Sequence, residues 1–178
     1  MLPDGIEFRT ETEKHERQGW NMAFEKAKEY LEGFGLDGHI IVTEHSSATV
    51  AEAAEAIGCE AAMIAKTLSF LQEEGPVLIL ADGLARIDNR KYKDRFACKA
   101  RMIPAEQVGP LIGHEIGGVC PFGINKGVRV YLDESLRKHE IVYPAAGTDH
   151  SGVKLTIPEL EKCCGYPEWV DVCKQSEI

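Results

Sequence analysis

The hydrophobic pattern of this chain predicts a mixture of short helices and short strands. Apolar residues recur at helical spacing between residues 21 and 32, and glycines follow immediately. The same reasoning predicts further helices over 48–57, 88–96, 104–112 and 158–164. Apolar and β-branched runs predict strands over 40–43, 63–71, 77–81, 97–102, 128–132, 140–143, 153–156 and 169–172. Strands outnumber helices, which favours the α+β class, with a mixed, largely antiparallel sheet flanked by helices.

Capping and turn residues support several of these boundaries. Thr49, followed by Glu52 three residues later, predicts a capping box, and Gly58 predicts the end of that helix. Residues 72–76 predict a longer loop that joins two strands in a hairpin. Residues 1–17 are polar and lack periodicity, so we expect them to form a ragged lead with no assigned role.

Length and composition indicate one globular unit. A chain of 178 residues with 44% hydrophobic and 28% charged residues fits a single domain over 1–178. No apolar run approaches the roughly 20 residues that cross a bilayer, and the polar N-terminus does not resemble a signal peptide, so we expect a cytoplasmic protein without a membrane partner. The six cysteines include no C-x-x-C pair, which favours free thiols over a metal site. Cys120, inside a glycine-rich loop, is expected to be a packed or pocket-lining thiol.

The net charge of −9 argues against a broad nucleic-acid surface. The chain has 20 basic and 29 acidic side chains, whereas proteins that cover DNA or long RNA need an excess of lysine and arginine. Residues 86–101 depart from this balance, because they carry seven basic and two acidic side chains, a local charge of +5. This segment is either the solvated face of a helix or a local cationic patch that suits the end of an RNA strand.

Lys66 is the most informative single residue, because it interrupts the apolar run from residue 61 to residue 70. A buried ammonium is unfavourable unless an anion offsets the loss of hydration. The residue therefore either has an anionic partner, in the protein or in a ligand, or extends along the open face of a strand toward water.

Two later segments concentrate groups that suit a ligand. Residues 113–127 contain five glycines and one proline, and such loops bring backbone N–H groups close to a ligand because no Cβ intrudes. This loop is either a binding loop stiffened by Pro121 or a tight surface turn. Residues 147–152 place Asp149 and His150 between two strands. There they either orient a water or contact a substrate, or Asp149 builds a hydrogen-bonded turn.

The order of these segments resembles the YbaK/ProX family of aminoacyl-tRNA editing domains, whose free-standing members resemble the editing insert of bacterial prolyl-tRNA synthetases. The matching segments are Lys66-Thr67-Leu68, Gly117 to Pro121, and Ala146-Gly147. Residues 44–54 and 81–88 are similar to the family as well, and the resemblance covers roughly residues 20–173. It implies the same α+β fold.

The resemblance also implies roles for individual residues. It implies that Lys66 holds phosphate at the 3′ end of a tRNA and that Gly117 and Gly118 hold the aminoacyl group. The further residues that it implies in substrate binding are Thr67, Pro121, Gly147, Asp149 and His150. It implies hydrolysis through backbone groups and the substrate's own ribose hydroxyl, with no cofactor, no metal and no covalent nucleophile.

Two functions follow as hypotheses. The first is an aminoacyl-tRNA deacylase that acts in trans on a small amino acid, for which the family's theme is cysteine, alanine or serine on proline tRNA. Its expected partner is the aminoacyl-tRNA 3′ end, with a synthetase or translation factor as a further candidate, and not DNA. The alternative is a non-catalytic binding module that uses the same pocket for a nucleotide, a metabolite or a protein partner. The net charge slightly favours that alternative.

Overall fold

The computed structural model describes residues 11–175, with side chains from residue 22 onward. The helices in this part of the chain are Glu11–Glu32 (α1), Val50–Ile57 (α2), Asn89–Phe96 (α3), Ala105–Ile112 (α4) and Ile157–Cys163 (α5). The strands are Ile40–Val42 (β1), Ala65–Gln72 (β2), Gly75–Asp82 (β3), Ala85–Ile87 (β4), Arg129–Asp133 (β5), Ile141–Val142 (β6), Ser151–Val153 (β7), Leu155–Thr156 (β8), Trp169–Val170 (β9) and Cys173–Gln175 (β10).

Four strands form the central sheet, in the order β2-β3-β5-β9. β2 and β3 are antiparallel, whereas β3 with β5 and β5 with β9 are parallel. The antiparallel pairs β1–β7, β4–β10 and β6–β8 lie around this sheet. Among these six pairings four are antiparallel and two are parallel, so the predicted mixed, largely antiparallel α+β fold is confirmed.

Strand β3 is the centre of the fold because both of its faces are buried. Residues 77–82 are all 0% exposed, and a continuous apolar run is typical of such a strand. One face packs against Tyr92 of α3, and the other packs toward Leu31 of α1 and Val108 of α4. Each large apolar side chain buried in this way stabilises the fold by roughly 1.5–3 kcal/mol. The packed helices therefore fix the position of β3, and the pairing with β3 fixes β2 at the edge of the sheet.

Helix α2 ends at the predicted residue, Ile57, and begins at Val50, two positions after the predicted start and directly after the predicted N-cap Thr49. The Thr49 hydroxyl accepts a hydrogen bond from the Glu52 N–H at 3.2 Å, which is the Thr49 half of the predicted capping box. Gly58 closes the helix in the left-handed conformation, with φ +84°. Because these signals depend on near neighbours in the sequence, the position of α2 could be predicted without knowledge of the fold.

Helix α1 begins at Glu11 rather than near residue 21. The prediction of a ragged lead over 1–17 is therefore wrong for residues 11–17, while residues 1–10 lie outside the described residues. The additional helical segment is rich in Glu, Lys, Arg and Gln, which are good helix formers. It has no apolar periodicity, which is why the hydrophobic pattern did not reveal it.

The predicted strand over 97–102 is wrong. Ala97 has a left-handed φ of +58° and turns the chain out of α3. The segment then touches the edge of β2 only locally, through one bridge between Met102 and Phe70 and one hydrogen bond from the Leu71 N–H to the Arg101 carbonyl at 2.9 Å.

Other strand boundaries differ because the pairing partners differ. The predicted strand 153–156 is divided into β7, which pairs with β1, and β8, which pairs with β6. The predicted strand 169–172 contains only β9, and β10 follows it and pairs with β4, a strand that the pattern did not indicate. Gln72 pairs with Gly75, so the hairpin loop has two residues instead of five.

No helix within the described residues 11–175 is long and apolar enough to cross a membrane. The six cysteines are free thiols, of which Cys120, Cys163 and Cys173 are buried.

Candidate active site

A pocket of about 230 Å³ lies between β2, α2 and the loop that follows α4. Residues 143–145 and 151–152 complete its wall. Its polar lining residues are Ser47, Thr49, Lys66, Thr67, Ser69, Tyr143 and Ser151. The pocket is smaller than the roughly 300–1,000 Å³ of sites for drug-sized ligands, so it suits a small chemical group.

Lys66 lines this pocket and is half-buried. Its ammonium donates hydrogen bonds to the carbonyl oxygens of Gly83, at 3.3 Å, and of Ala85. A Cβ added at Gly83 would lie 2.9 Å from Val50, so this turn lies beside the N-terminus of α2. The ammonium thus has backbone partners that the sequence did not reveal. Because an ammonium has three N–H donors, one donor remains for a ligand.

The charge of Lys66 depends on opposing neighbours. Burial lowers the pKa of Lys66 below its ordinary value, whereas Cys173 and Asp82 raise it and Arg86 lowers it further. This ammonium therefore loses its proton more readily than a surface lysine, and acidic neighbours influence whether it is charged.

Thr67 and Ser69 lie on the face of β2 opposite to Lys66, because side chains alternate along a strand. Since β2 is an edge strand, residues from both of its faces line the pocket at that edge. The Thr67 hydroxyl oxygen is buried and has no hydrogen-bond partner among the described residues. An unpaired buried hydroxyl costs about 1–3 kcal/mol, so a ligand that pairs with it gains affinity.

The glycine-rich loop reaches the pocket through Gly117. Gly117 has a left-handed φ of +94° and lines the pocket. A Cβ added at Gly118 would lie 2.6 Å from backbone atoms of Gly147, so glycine permits the contact between these two turns. The Gly118 N–H donates to the Glu115 carbonyl at 3.0 Å and is therefore used within the loop. The structure brings Gly117 to the pocket and uses Gly118 to join the two turns.

Asp149 and His150 lie beside the pocket and not among its lining residues. Asp149 Oδ1 is 2.7 Å from His150 Nδ1, and a Cβ added at Gly117 would lie 3.2 Å from the Asp149 Cβ. The turn here is held by Thr148 and Ser151, whose hydroxyl oxygens are 2.9 Å apart. Asp149 is thus close to the glycine loop, and its part in the turn is smaller than the sequence suggested.

Pro121 and Gly147 lie behind the pocket wall. Pro121 is buried and lines a separate cleft with Tyr30 and Cys164. Gly147 has a φ of +94°, and a Cβ there would lie 2.7 Å from the Ala23 carbonyl of α1. Both residues are buried between other elements. Direct contact of either residue with a substrate stays a prediction.

Cys120 has a histidine neighbour that the sequence did not identify. Its Sγ lies 3.4 Å from His114 Nε2, which is 2.6 Å from the Phe122 carbonyl oxygen. Burial raises the pKa of the Cys120 thiol to about 12 and lowers the pKa of His114. The thiol is 0% exposed and stays protonated, which agrees with the expected packed thiol.

The basic segment 86–101 lies partly at the pocket. Two of its basic residues are neutralised by acidic residues near the C-terminus, in the pairs Lys91–Asp171, at 3.0 Å, and Arg95–Glu168. Arg86 and Arg101 are exposed. Arg86 is close enough to Lys66 to act on its charge, and Arg101 precedes the lining residue Met102. The two ends of the segment therefore adjoin the pocket, Arg86 through Lys66 and Arg101 through Met102.

Several wall residues were missed by sequence reasoning. Ser69 follows Thr67 by two positions, so alternation along β2 was a signal that could have identified it. Met102 and Ile116 line the pocket while remaining 59% and 57% exposed. They lie outside helices and strands, where no periodicity marks a residue.

Residues 44–163 match the family profile described as aminoacyl-tRNA editing domain. The chain is 42% identical over 157 residues to the uncharacterized protein YwhH of Bacillus subtilis (strain 168), a match that covers 88% of this chain and 100% of that protein. It is 24% identical over 132 residues to a proline–tRNA ligase of Ligilactobacillus salivarius (strain UCC118). That match covers 74% of this chain but only 23% of the ligase.

Solved structures share this fold over most of their length. The crystal structure of a protein proposed to be a trans-editing enzyme for prolyl tRNA synthetase has a TM-score of 0.76 and 33% identity, and the match covers 85% of this chain and 97% of that one. The crystal structure of hypothetical protein APE2540 has a TM-score of 0.75 and 26% identity, with 84% and 99% covered.

Proposed function

The chain belongs to the family of aminoacyl-tRNA editing domains, and we propose that it hydrolyses the ester between a small, wrongly attached amino acid and the 3′ end of a tRNA. The pocket beside Lys66 is the observation that carries this proposal. We propose proline tRNA as the substrate, acted on in trans, because the relatives include a proline–tRNA ligase and a proposed trans-editing enzyme for prolyl tRNA synthetase.

The size and lining of the pocket support a small aminoacyl group. The volume of about 230 Å³ has largely apolar walls with hydroxyl groups on one side, among them Thr67 and Ser69. A pocket of this size rejects larger side chains, whereas it discriminates weakly among small ones. Cysteine, alanine and serine are therefore the proposed substrates, with the unpaired Thr67 hydroxyl as a hydrogen-bonding partner for the bound group.

Lys66 supports binding of the nucleic-acid end. Two of its three N–H donors are used by the carbonyls of Gly83 and Ala85, which aim the side chain and leave one donor for a phosphate oxygen. A lysine suits phosphate as a compact charge. The adjacent N-terminus of α2 carries partial positive charge, which also favours a phosphate at this end of the pocket.

In the proposed reaction a water molecule adds to the ester carbonyl carbon, and the bond from that carbon to the ribose oxygen breaks. The ribose oxygen receives a proton, which leaves free amino acid and deacylated tRNA. The carbonyl oxygen gains negative charge, and the donors that we propose to stabilise it are backbone N–H groups near Gly117, which lines the pocket. The Cys120 thiol is buried and protonated, so the proposal includes no covalent nucleophile.

The test is deacylation of tRNA for proline charged with cysteine, alanine, serine or proline. We expect Lys66→Ala to lower kcat/KM by roughly 10- to 100-fold, because it removes a hydrogen bond to a charged group. We expect the variant to fold with some loss of thermal stability, because the carbonyl oxygens of Gly83 and Ala85 lose their ammonium donor. Lys154→Ala, at an exposed lysine in a different cleft, is the matched control and should retain the wild-type rate.

Each outcome of this test is decisive. Rapid hydrolysis of one mischarged species that depends on Lys66 supports the proposal and names the amino acid. Hydrolysis of none of the four by folded protein contradicts it and favours the alternative of a non-catalytic binding module. Wild-type rates in Lys66→Ala would show that the role given to this lysine is wrong.

A further inference from the structure

A fully buried carboxylate lies beside the candidate site and has no part in the proposed reaction. Asp82, at the end of β3, is 0% exposed. Its Oδ2 accepts from His139 Nε2 at 2.6 Å and from Lys138 Nζ at 3.2 Å. Its Oδ1 accepts from the Leu84 N–H at 2.8 Å. A carboxylate without solvent keeps its charge only through such donors, so this group is built into the fold.

The carboxylate is ionised in the folded protein. Burial alone opposes ionisation, but the hydrogen bonds from His139, the Leu84 amide and Lys138 outweigh it, and the pKa of Asp82 lies below its ordinary value. Since the carboxylate accepts from His139, that Nε2 carries a proton. The negative charge is therefore permanent at neutral pH.

The bond from Asp82 to the Leu84 N–H closes a turn between β3 and β4. The carbonyl oxygens of Gly83 and Ala85, on either side of Leu84, are the acceptors of the Lys66 ammonium. We propose that Asp82 is a positioning residue for Lys66. Its carboxylate holds the turn that presents two carbonyl oxygens to the ammonium, and its charge favours the protonated form of that ammonium. This inference rests on the proposed function in one respect, namely that Lys66 is the residue that binds the substrate phosphate.

The charged surroundings of Lys66 single out Asp82. Burial has the largest effect on the Lys66 charge, followed by Cys173, Asp82 and Arg86. Burial raises the pKa of the Cys173 thiol to about 12, so this thiol is neutral at the pH where the site operates. Arg86 opposes protonation of Lys66. Asp82 is therefore the charged neighbour that opposes the effect of burial on the ammonium. Lys138 and His139 affect Lys66 only through their bonds to Asp82. Asp133 raises the pKa of Cys173.

The inference is tested by the pKa of Lys66 itself, measured by NMR titration of lysine 13Cε in the full chain. The signal is assigned by its loss in Lys66→Arg. Asp82→Asn keeps an oxygen acceptor for the Leu84 N–H but removes the charge. We expect this variant to lower the Lys66 pKa by at least about half a pH unit, because a nearby opposite charge is lost.

Asp171→Asn is the matched control. Asp171 is exposed and pairs with Lys91, so the same change of residue type at this position should leave the Lys66 pKa unchanged. An equal Lys66 pKa in wild type and in folded Asp82→Asn overturns the inference. A fall in the Lys66 pKa in Asp82→Asn alone supports it.

A second variant decides the question if Asp82→Asn fails to fold, as judged by near-ultraviolet circular dichroism. Lys138→Met with His139→Phe removes both donors to Oδ2 and so raises the Asp82 pKa toward a more accessible range. On acidification, the Leu84 amide and the Lys66 13Cε signals should then shift together in one step. A step at Leu84 without one at Lys66 overturns the inference.

The pH–rate profile of deacylation separates this inference from the proposed function. In Asp82→Asn the alkaline fall in kcat/KM should move to lower pH, a change that loss of stability alone does not produce. If wild-type protein deacylates none of the tested tRNAs, the proposed function fails while the Lys66 titration still decides the role of Asp82. If deacylation depends on Lys66 but the Lys66 pKa is the same in wild type and in Asp82→Asn, the proposed function stands and the inference fails.

Discussion

At the scale of single residues, burial decides which ionisable groups can react. Cys120 and His114 lie 3.4 Å apart, a spacing that in an open cleft would indicate a nucleophile and its base. Here both are buried, and both are held in their neutral forms. The same physical effect acts on Lys66, but there Asp82 reduces it and backbone carbonyls accept hydrogen bonds from the ammonium. Residue type alone does not distinguish these two cases.

We therefore predict that Cys120→Ala retains deacylation. The loss of a buried sulfur should lower the free energy of unfolding by about 1–2 kcal/mol, because a small cavity remains. Urea denaturation and the deacylation assay measure the two effects separately. A variant with wild-type stability and no activity would give Cys120 a chemical role.

Gly118→Ala is predicted to destabilise the protein by about 1–3 kcal/mol, because its Cβ would lie 2.6 Å from backbone atoms of Gly147 that cannot rotate away. The adjoining Gly117 wall should shift, so kcat/KM should fall as well. Gly38→Ala is the control, since a Cβ there meets nothing within 4 Å. Thermal unfolding of both variants is the measurement, and equal melting temperatures would contradict the close contact.

At the scale of secondary-structure elements, the pocket depends on how α2 is placed against β2. Residues 47–50 line the pocket at the start of α2, and residues 65–67 and 69 line it from β2. The start of α2 is set by the Thr49 cap, whereas β2 is held by a continuous ladder with β3. The helix end is therefore the more easily perturbed of the two walls.

Two helix caps allow the effect of the α2 N-terminus on the pocket to be tested with matched variants. Thr49→Ala and Thr156→Ala each remove a hydroxyl that caps a helix, at α2 and at α5, and each should cost about 1 kcal/mol of stability. Only Thr49→Ala should also raise KM for the charged tRNA, because α2 borders the pocket and α5 does not. Denaturant unfolding and steady-state deacylation give both values. An equal rise in KM for Thr156→Ala would indicate a general loss of stability instead.

At the scale of the whole molecule, the charge distribution limits how the protein meets RNA. The net charge is −9, and part of the basic segment 86–101 is neutralised by acidic residues near the C-terminus. Arg86, which acts on the charge of Lys66, and Arg101, which precedes the lining residue Met102, are exposed. Such a surface suits contact with a few phosphates at one end of a tRNA and disfavours a wide footprint.

This arrangement predicts a modest dependence on salt. With two or three phosphates contacted, tRNA affinity should fall about 10-fold between 50 and 200 mM salt. Arg101→Glu should weaken binding, whereas Lys154→Glu, the same change of charge on an exposed residue in another cleft, should not. Binding titrations at several salt concentrations measure both effects. An equal loss in the two variants would place the RNA elsewhere.

The local elements of this protein follow from the sequence by itself. Periodicity and capping predicted α2, α3 and β3 closely, because the interactions that start and stop these elements join residues only a few positions apart. The α+β class and the membership in the editing-domain family also followed from the order of short segments along the chain. The polar half of α1 was missed, since solvated helix formers leave no hydrophobic pattern.

The site itself was decided by tertiary structure. The sequence marked Lys66 and the glycine loop, but not the turn that holds the Lys66 ammonium or the carboxylate beneath that turn. Asp82 and His139 are 57 positions apart in the chain, and only the packing of β3 against its neighbours brings them to 2.6 Å. Strand β10 and the division of β7 from β8 have the same origin. Short-range interactions act before the fold exists, whereas burial and the pairing of distant groups arise only when the whole chain has packed.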